Sequence, residues 1–496
     1  MEVVSIEKAK IMDKETIEKV GIPSIILMEN AAESIFKSIV HKGNSYLFFC
    51  GVGNNGGDAL AIARKLFLLN KEVKIYVIGN LKRSTNEFLT NYNIIKKMNI
   101  TVEFINEVNK DIISDIRSFE VVIDGIMGIG LNRDLTNILY KLVNAINENS
   151  KYIIAIDNPT GLNANTGKAM GISIKASKTF VIEVLKKGYF NLGAREYLGE
   201  VEVVNINMPS NIKKSNSDNI HLGNKEVYKN IIPKRGIYNH KGDYGRVVIL
   251  AGSKGMTGAA YITTQSAVKT GAGLVSLVVE DDVQPILSSK LIEAMTVSYC
   301  EEGKINKLIN DADVIICGPG LGNNDINKAM LNKFICESNC PIVLDADALN
   351  IISNEKNLLS YLKGRAVFTP HTGEMSRLNG CSIEYINDNR IDACVEYARN
   401  NNIVTLLKGF NTVISNGSQT IINPTGNSKM ASGGMGDCLT GIIGSLISQG
   451  IGIYESTMCG AYIHGAIGDI LSRDRYVVTA EDIISKVPKF MESISR

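Results

Sequence analysis

The stretch Asn423–Gly441, which reads NPTGNSKMASGGMGDCLTG, decides the fold and the chemistry of the second half of the chain. Gly433, Gly434 and Gly436 directly precede an apolar helical pattern. Backbone N–H groups at such a helix start form a cradle for negative charge, which the helix dipole stabilises by ~0.3–1 kcal/mol at an exposed site. Asp437 would repel a bound phosphate, so we expect it to remove a proton from a hydroxyl that attacks a phosphoryl group. The alternative, glycines for packing and an aspartate as dipole partner, accounts for fewer of these residues.

Short apolar runs alternate with helical patterns along most of the chain. Such runs, nearly continuous and rich in β-branched residues, suit strands that are buried on both faces of a parallel sheet. The alternation therefore predicts an α/β layered architecture. The predicted strands are Tyr46–Cys50, Val73–Ile78, Val121–Ile123 and Tyr152–Ile156, and then Val247–Ala251, Leu274–Val279, Val314–Cys317, Pro341–Leu344, Ala366–Phe368 and Ile403–Leu407.

A polar, turn-rich segment separates the two series of strands. Asn207–Asn224 reads NMPSNIKKSNSDNIHLGN and shows no apolar period, so we interpret it as a linker. The 496 residues exceed the roughly 150 residues of a typical domain. We therefore expect two α/β domains, at residues 1–215 and 222–496.

The composition argues against several classes of protein. The 53 Lys+Arg and 51 Asp+Glu residues nearly cancel, so a broad nucleic-acid-binding surface is not indicated. No apolar run reaches the ~18 residues of a membrane span, and the N-terminal segment has no signal-peptide pattern. The nine cysteines form no CxxC pair, which argues against a zinc site and favours reduced thiols in the cytoplasm.

Three polar, glycine-containing loops follow predicted strands in the first half. They are Cys50–Asp58 (CGVGNNGGD), Asp124–Asp134 (DGIMGIGLNRD) and Asp157–Asn163 (DNPTGLN), and none has the spacing of a GxGxxG motif or a P-loop. The carboxyl ends of parallel strands meet at one edge of a sheet, where α/β folds bind ligands. Each loop alone could be a structural turn or, for Asp124, a helix cap. Their convergence favours a single ligand pocket.

These motifs, in this order, resemble the NAD(P)H-hydrate epimerase domain, and Ile22–Ala32 is similar to the first helix of that family. The substrate of the family is a nicotinamide dinucleotide that has added water at C6 of its nicotinamide ring, and the enzyme interconverts the R and S epimers. The resemblance implies a Rossmann-like domain in which Asp157 is the acid/base group. It also implies a potassium ion at Asn55, Asp124 and Thr160, and a dinucleotide site formed by Asn54, Asn55, Gly56, Gly57, Asp58, Gly128, Ile129, Gly130, Leu131, Asn132, Arg133, Asp134 and Asp157.

Four positions depart from the usual pattern of that family. Ala59 replaces a glycine, and Ile129 stands where threonine is common. Asn158 and Thr160 replace an isoleucine and a serine. Thr160 keeps a hydroxyl for the ion, whereas Ile129 lacks the hydrogen-bond donor of a threonine.

The second half carries further motifs that narrow its assignment. Together with the stretch around GGMGD, they resemble the NAD(P)H-hydrate dehydratase domain, a three-layer αβα domain of the ribokinase-like superfamily. Thr372 and Met435 depart from the proline and threonine that are usual there. The motifs are HKGDYGRV at 240–247, AGSKGMTGAA at 251–260, GPGLG at 318–322, TPHTGE at 369–374 and LKGFNT at 407–412.

This resemblance implies a role for each motif. Asp437 would be the catalytic base, and Gly433, Gly434 and Gly436 the anion hole. The hydrated dinucleotide would contact Ala260, Gly322, His371 and Asp437, and the adenine nucleotide would contact Lys408, Gly409, Phe410, Asn411, Thr412 and Gly436. ADP or ATP would phosphorylate the hydroxyl of the hydrate before phosphate elimination restores the ring. A magnesium ion would bridge the phosphates, with Asn423 and Glu374 as candidate contributors, and members of the family commonly form homo-oligomers.

Two other hypotheses stay open on the sequence. A ribokinase-like kinase of a small alcohol, with the first half as a regulator, would release a stable phosphorylated product. A dinucleotide sensor or protein-binding module in the first half would keep its function after Asp157→Ala. His41, His221 and His464 have no identifiable partner in the sequence, so we expect them to be surface or packing residues.

Overall fold

The chain divides into two units, Met1–Ile220 and His221–Arg496. The computed structural model describes residues 1–229, 231–232 and 234–495. Each unit has its own sheet and its own hydrophobic core.

The first unit is built on a seven-stranded sheet in which all neighbouring strands are parallel. The chain order reverses where Ser45–Gly51 pairs with Val121–Gly125. Such a switch point opens a crevice at the carboxyl ends of the strands. In spatial order the strands are Val102–Phe104, Glu72–Ile78, Ser45–Gly51, Val121–Gly125, Ile153–Ile156, Lys178–Ile182 and Glu200–Val204, and a separate parallel pair joins Val3–Val4 to Leu185–Lys186.

Helices cover both faces of this sheet because its strands are apolar on both sides. Tyr46 and Phe48 lie in one core, whereas Leu47 and Phe49 lie in the core on the opposite face. This division follows from the alternation of side chains along a strand. The helices, including short 3₁₀ turns, are Ile6–Glu18, Ser24–Ile39, Asn54–Leu68, Leu81–Arg83, Asn86–Lys97, Lys110–Ser118, Asn137–Asn149, Lys187–Phe190, Leu192–Ala194, Arg195–Leu198 and Ser210–Ser215.

The second unit contains a ten-stranded mixed sheet. Its parallel part runs from Val404–Leu407 to Met295–Ser298, and an antiparallel hairpin extends the other edge. In spatial order the strands are Ile220–Leu222, Thr420–Asn423, Thr412–Ser415, Val404–Leu407, Ala366–Phe368, Ile342–Leu344, Val314–Cys317, Arg246–Leu250, Leu274–Val279 and Met295–Ser298.

Helix Met435–Ser448 lies at the centre of one helical layer of the second unit. It packs against Thr257–Thr270, Ile453–Leu471 and the strand Val314–Cys317, and every residue from Cys438 onward is buried. A helix that is apolar on all sides is expected to occupy such a position. The other helices and 3₁₀ turns are Lys225–Lys229, Lys241–Tyr244, Thr257–Thr270, Gln284–Ser288, Glu302–Asp311, Asp325–Glu337, Asp347–Asn354, Lys356–Leu358, Leu359–Leu362, Thr372–Asn379, Ile383–Asp388, Arg390–Asn401, Ser428–Met430, Ile453–Leu471 and Ala480–Ile494.

The α/β architecture with parallel sheets confirms the predicted fold class, and each predicted strand is present with ends shifted by two residues at most. The predicted linker Asn207–Asn224 contains the division between the two units, but it is not irregular throughout. This segment contains helix Ser210–Ser215 and strand Ile220–Leu222, with Ile212 and Ile220 buried. The four apolar residues scattered among polar ones give no period, yet burial of Met208, Ile212 and Ile220 is enough to anchor short elements. Among the described helices, none is long and apolar enough to cross a membrane.

Candidate active sites

A cavity of about 850 Å³ opens at the switch point of the first sheet. Asp58, Gly128 and Asp157 come from three different strand-end loops and line it together, as the convergence argument predicts. The other predicted residues that line it are Asn54, Asn55, Ile129, Gly130, Leu131, Asn132 and Arg133.

Gly56, Gly57 and Asp134 lie away from the cavity wall, and the two glycines serve close packing. A Cβ at Gly56 would lie 1.8 Å from the Gly51 carbonyl oxygen, and one at Gly57 would lie 2.8 Å from the methyl group of Met28. The helix begins at Asn54, so the NNGGD run forms its first turn. The unpaired N–H groups of that turn can bind an anion.

Asp157 is held by groups that the sequence did not reveal. Its carboxylate accepts a hydrogen bond from the Lys186 ammonium at 2.8 Å, and the Lys186 side chain is 2% exposed. The Tyr189 hydroxyl donates to the Asp157 carbonyl oxygen at 3.0 Å. Asp157 itself has a left-handed backbone, with φ of 62°, as residues at functional sites often have. The ion pair and the strained turn fix the carboxylate at the cavity wall.

Three further carboxyl groups line the cavity with Asp157, namely those of Asp13, Asp58 and Glu183. Burial and the negative charge of Asp157 raise the pKa of Asp13 to about 6, although the Lys186 ammonium opposes the shift. Burial, Asp157 and Asp13 raise the pKa of Asp58 well above its ordinary value. Carboxyl groups whose environments separate their pKa values can divide acid and base roles. Asp13 precedes the motifs by about forty residues, and its polar helix Ile6–Glu18 carried no signal for it.

The residues proposed for potassium form a buried oxygen-rich group. The Thr160 hydroxyl and backbone N–H donate to the two oxygens of Asp124 at 2.6 and 2.7 Å. Burial raises the pKa of Asp124 to about 6 against these hydrogen bonds. The Asn55 amide is buried and its oxygen has no hydrogen-bond partner among the described residues. The unpartnered Asn55 oxygen and the carboxylate of Asp124, whose oxygens have more than one lone pair each, can together hold a cation.

In the second unit, Asp437 lies in the first turn of helix Met435–Ser448 and is only partly buried. Gly434 caps this helix with φ of 85°, and a Cβ there would lie 2.5 Å from the Ile262 side chain. Gly433 is exposed. Because the first N–H groups of a helix lack intrahelical acceptors, the turn after Gly434 presents donors beside the Asp437 carboxylate.

Asp437 lies close to three other carboxyl groups, those of Asp345, Asp347 and Glu374. Burial, and then the charge of Asp345, raise the pKa of Asp437 to about 6, while the Lys408 ammonium lowers it. Asp347 and Glu374 add smaller raising effects. A base whose pKa lies near neutrality is well suited to accept a proton from a hydroxyl.

The sequence reasoning missed Asp345, which pairs with Lys408 beside the glycine turn. The Lys408 Nζ and Asp345 Oδ1 atoms are 2.6 Å apart, and Asp345 is 1% exposed. Coulombic attraction and hydrogen bonds from Lys408 outweigh burial and lower the pKa of Asp345. Burial opposes the shift at Lys408, but the charges of Asp345, Glu374 and Asp437 raise its pKa. The available signal was an aspartate directly after the predicted strand Pro341–Leu344.

The Lys408–Thr412 segment is the turn between two antiparallel strands. Gly409 has φ of 140° and Asn411 has φ of 54°, so both need the conformational freedom of their residue types. Phe410 is 50% exposed, and the Thr412 hydroxyl donates to the Gly409 carbonyl oxygen at 2.8 Å. An exposed aromatic ring on such a turn offers a face for a nucleotide base.

The residues predicted to contact the dinucleotide in the second unit differ in burial and in hydrogen bonding. Ala260 is fully buried and packs against Gly252. The Gly322 N–H donates to Asp347 at 2.8 Å. The His371 side chain is 55% exposed and caps helix Thr372–Asn379 through its Nδ1 atom.

The two candidate magnesium contributors are both engaged with protein groups. The Asn423 amide donates to the Ala461 carbonyl oxygen at 3.0 Å and accepts from the Thr425 hydroxyl at 2.9 Å. Glu374 accepts from the His371 N–H at 2.8 Å and lies 3.8 Å from the Lys408 ammonium. Both side chains therefore already accept hydrogen bonds from protein groups.

Comparison with known proteins matches each unit to a protein family. Residues 24–188 match the family described as YjeF-related protein N-terminus, and residues 247–489 match the family described as NAD(P)H-hydrate dehydratase. A bifunctional NAD(P)H-hydrate repair enzyme of Moorella thermoacetica is 34% identical over 97% of this chain and 95% of its own length. One of Thermofilum pendens is 31% identical over 100% of this chain and 97% of its own length.

The solved structures include a protein of Enterococcus faecalis described as ribokinase-like. It is 29% identical, has a TM-score of 0.52, and covers 56% of this chain and 97% of its own. The predicted ribokinase-like fold is thereby confirmed. The relatives match the chain across both units, in the order that the sequence motifs indicate. The chain therefore belongs to the family of bifunctional NAD(P)H-hydrate repair enzymes.

Proposed function

We propose that this chain repairs hydrated NADH and NADPH by two successive reactions. The first unit interconverts the R and S epimers at C6 of the damaged ring, and the second unit dehydrates the S epimer at the expense of ADP or ATP. The observation that carries this proposal is the presence of two separate sites, each with a positioned carboxylate. Family membership along the whole chain supports it.

In the first unit, Asp157 is the group that exchanges protons with the bound hydrate. The Lys186 ammonium at 2.8 Å keeps the carboxylate oriented toward the cavity. The first turn of helix Asn54–Leu68 and the loop Gly128–Arg133 hold the dinucleotide, because both line the same cavity as Asp157. Asn55, Asp124 and Thr160 hold a potassium ion, whose positive charge compensates the buried Asp124 carboxylate.

In the second unit, Asp437 takes the proton from the C6 hydroxyl of the hydrate. The hydroxyl oxygen then attacks the terminal phosphoryl group of the nucleotide, and AMP leaves from ADP, or ADP from ATP. The phosphorylated hydrate next loses inorganic phosphate and a ring proton, which restores the C–C double bond of NAD(P)H. The donors after Gly434 neutralise the charge of the migrating phosphoryl group.

Magnesium, when bound, neutralises charge on the phosphates of the nucleotide. Because Asn423 and Glu374 are occupied by protein hydrogen bonds, we assign the ion mainly to oxygens of the nucleotide. The proposal also places the protein in the cytoplasm, where its nine free thiols would stay reduced, and includes self-association, as the family resemblance implies.

The test is to incubate the purified protein with mixed hydrate epimers and ADP or ATP in magnesium and potassium salts. We expect recovery of the absorbance of reduced nicotinamide, release of one inorganic phosphate per hydrate, and consumption of both epimers. A stable phosphorylated product without recovered NAD(P)H would instead establish the alternative, a kinase of a small alcohol. Consumption of the S epimer alone would remove the epimerase assignment of the first unit.

A further inference from the structure

The buried ion pair between Asp345 and Lys408 has a construction that packing alone does not require. The second oxygen of Asp345 accepts from the Thr440 hydroxyl at 2.8 Å, while the Ala346 N–H donates to the first at 2.9 Å. Thr440 lies on the same helix as Asp437, one turn further along. The carboxylate is thus fixed from three directions.

Burying such a pair costs desolvation energy that its mutual attraction often fails to recover. An apolar pair in this space would stabilise the fold at least as well. We therefore attribute the ion pair to function and not to stability. The backbone conformation at Ala346, with φ of 49° and ψ of −117°, also supports a functional role. A non-glycine residue in that region is strained, and strain of this kind concentrates at functional sites.

The position of the Lys408 ammonium indicates the function of the ion pair. A Cβ built on Gly436 would lie 3.2 Å from the Lys408 Nζ atom and 3.5 Å from the second oxygen of Asp345. The ammonium therefore borders the helix start that carries Asp437. The Lys408 side chain is 20% exposed, whereas the Asp345 side chain is 1% exposed, so the lysine is the more accessible member of the pair.

We propose that Asp345 is a positioning residue that holds the Lys408 ammonium at the glycine turn, where the ammonium binds the phosphoryl group as it moves from nucleotide to hydrate. This inference rests on the proposed dehydratase reaction and adds to it the group that orients its cation. An ammonium has three donors. One is taken by Asp345 at 2.6 Å, which leaves donors for phosphoryl oxygens.

The inference predicts that Asp345 acts only through Lys408, and a double-mutant cycle tests this. Lys408→Met should lower kcat for dehydration by about 100-fold, the usual cost of a lost electrostatic contact to the reacting group. Asp345→Asn should lower kcat at least about tenfold, with a change of less than about threefold in the KM for the nucleotide. The variant Asp345→Asn/Lys408→Met should equal Lys408→Met within about twofold, because residues that act as a unit are not additive.

Lys333→Met is the matched control, because Lys333 forms an exposed pair with Glu337 at 2.8 Å on helix Asp325–Glu337. It should leave kcat unchanged. Multiplicative losses in the double variant, or a kcat of Asp345→Asn within about twofold of the parent, would overturn the inference.

The experiment must distinguish a loss of activity caused by misfolding from one caused by a misplaced Lys408 ammonium. If Asp345→Asn fails to fold, Thr440→Val replaces it, since this change removes the hydroxyl that contacts Asp345 at 2.8 Å and the Gly436 carbonyl oxygen at 2.9 Å. It should lower kcat a few-fold in the parent and not at all in the Lys408→Met background. A loss of equal size in both backgrounds would contradict the inference. A parent protein that does not dehydrate the S epimer would refute the proposed function itself, whereas an additive cycle in an active parent refutes the positioning role alone.

Discussion

The Lys186 ammonium lies 2.8 Å from the Asp157 carboxylate, and both side chains are withdrawn from solvent, with 2% and 14% exposed. Lys186 stands at the end of the short strand Leu185–Lys186, which pairs with Val3–Val4 near the N-terminus. The Asp157 carboxylate is therefore tied to a small sheet that lies outside the main one. We expect this ion pair to affect both the stability of the unit and the proposed epimerisation.

Lys186→Met should destabilise the first unit by about 3–5 kcal/mol, because it leaves a buried carboxylate without its cation. Asp157→Asn/Lys186→Met should recover most of this loss, since the double change removes both charges. Urea unfolding followed by circular dichroism measures both variants. Equal losses in the single and double variants would show that the methylene stem of Lys186, and not the ion pair, stabilises the unit.

Asp157→Asn should lower the rate of epimer exchange by ~10²–10⁴-fold, the usual contribution of a positioned acid/base group. Dehydration of the S epimer should persist at the parental rate, because Asp437 lies in the other unit. Nuclear magnetic resonance exchange between the epimers, without nucleotide, measures the first reaction. A dinucleotide sensor in place of an epimerase would give no exchange even in the parent.

Dehydration should depend on pH through Asp437, whose pKa is raised to about 6. Only the ionised carboxylate accepts a proton, so kcat/KM should be half-maximal near pH 6 and fall about tenfold per pH unit below it. Asp347→Asn removes a negative charge that raises this pKa, and should move the midpoint to lower pH. A midpoint near the ordinary value of an aspartate in the parent protein would argue against Asp437 as the base.

Potassium should stabilise the first unit specifically. A ligand present at 100 times its Kd stabilises a fold by about 2.7 kcal/mol, so potassium chloride should raise the Tm relative to tetramethylammonium chloride of equal ionic strength. Asp124→Asn should abolish this difference, because it removes the charged ligand that also binds Thr160. Calorimetry distinguishes the two units. The same rise in both salts would indicate an effect of ionic strength alone.

Gly434→Ala should destabilise the second unit by ~1–3 kcal/mol and lower the dehydration rate. Its φ of 85° strains an alanine, and the new Cβ would lie 2.5 Å from Ile262. Gly303→Ala is the matched control near another helix start, where a Cβ meets nothing within 4 Å, and should be neutral or slightly stabilising. Similar losses in both variants would contradict a special role for the turn.

The parts of the first site that could be predicted from the sequence lie next to strand ends. Asp124 and Asp157 directly follow apolar runs, and a parallel sheet necessarily brings such positions to one edge. The α/β layered architecture was accessible because buried parallel strands have a sequence pattern of their own, whereas the Rossmann-like and ribokinase-like folds were implied by the resemblance to known families. Asp437 was accessible because its glycines mark a helix start.

The other site residues could not be predicted, because their positions depend on contacts between distant parts of the chain. Asp13 reaches the first cavity from a polar surface helix, and Lys186 reaches it from a two-residue strand, so neither has a local pattern. Asp345 follows a recognisable strand, but only the fold places it against Lys408, which is 63 residues away in sequence. The strands Thr412–Ser415 and Thr420–Asn423 were missed because short antiparallel hairpins leave few apolar residues to count.

The separate hydrophobic cores of the two units have a practical consequence. A substitution that damages the core of one unit need not reduce the reaction rate of the other unit. The rate of the undamaged unit therefore serves as an internal reference for the amount of protein. The ratio of the two turnover rates then reports a lesion at one site without any knowledge of protein concentration.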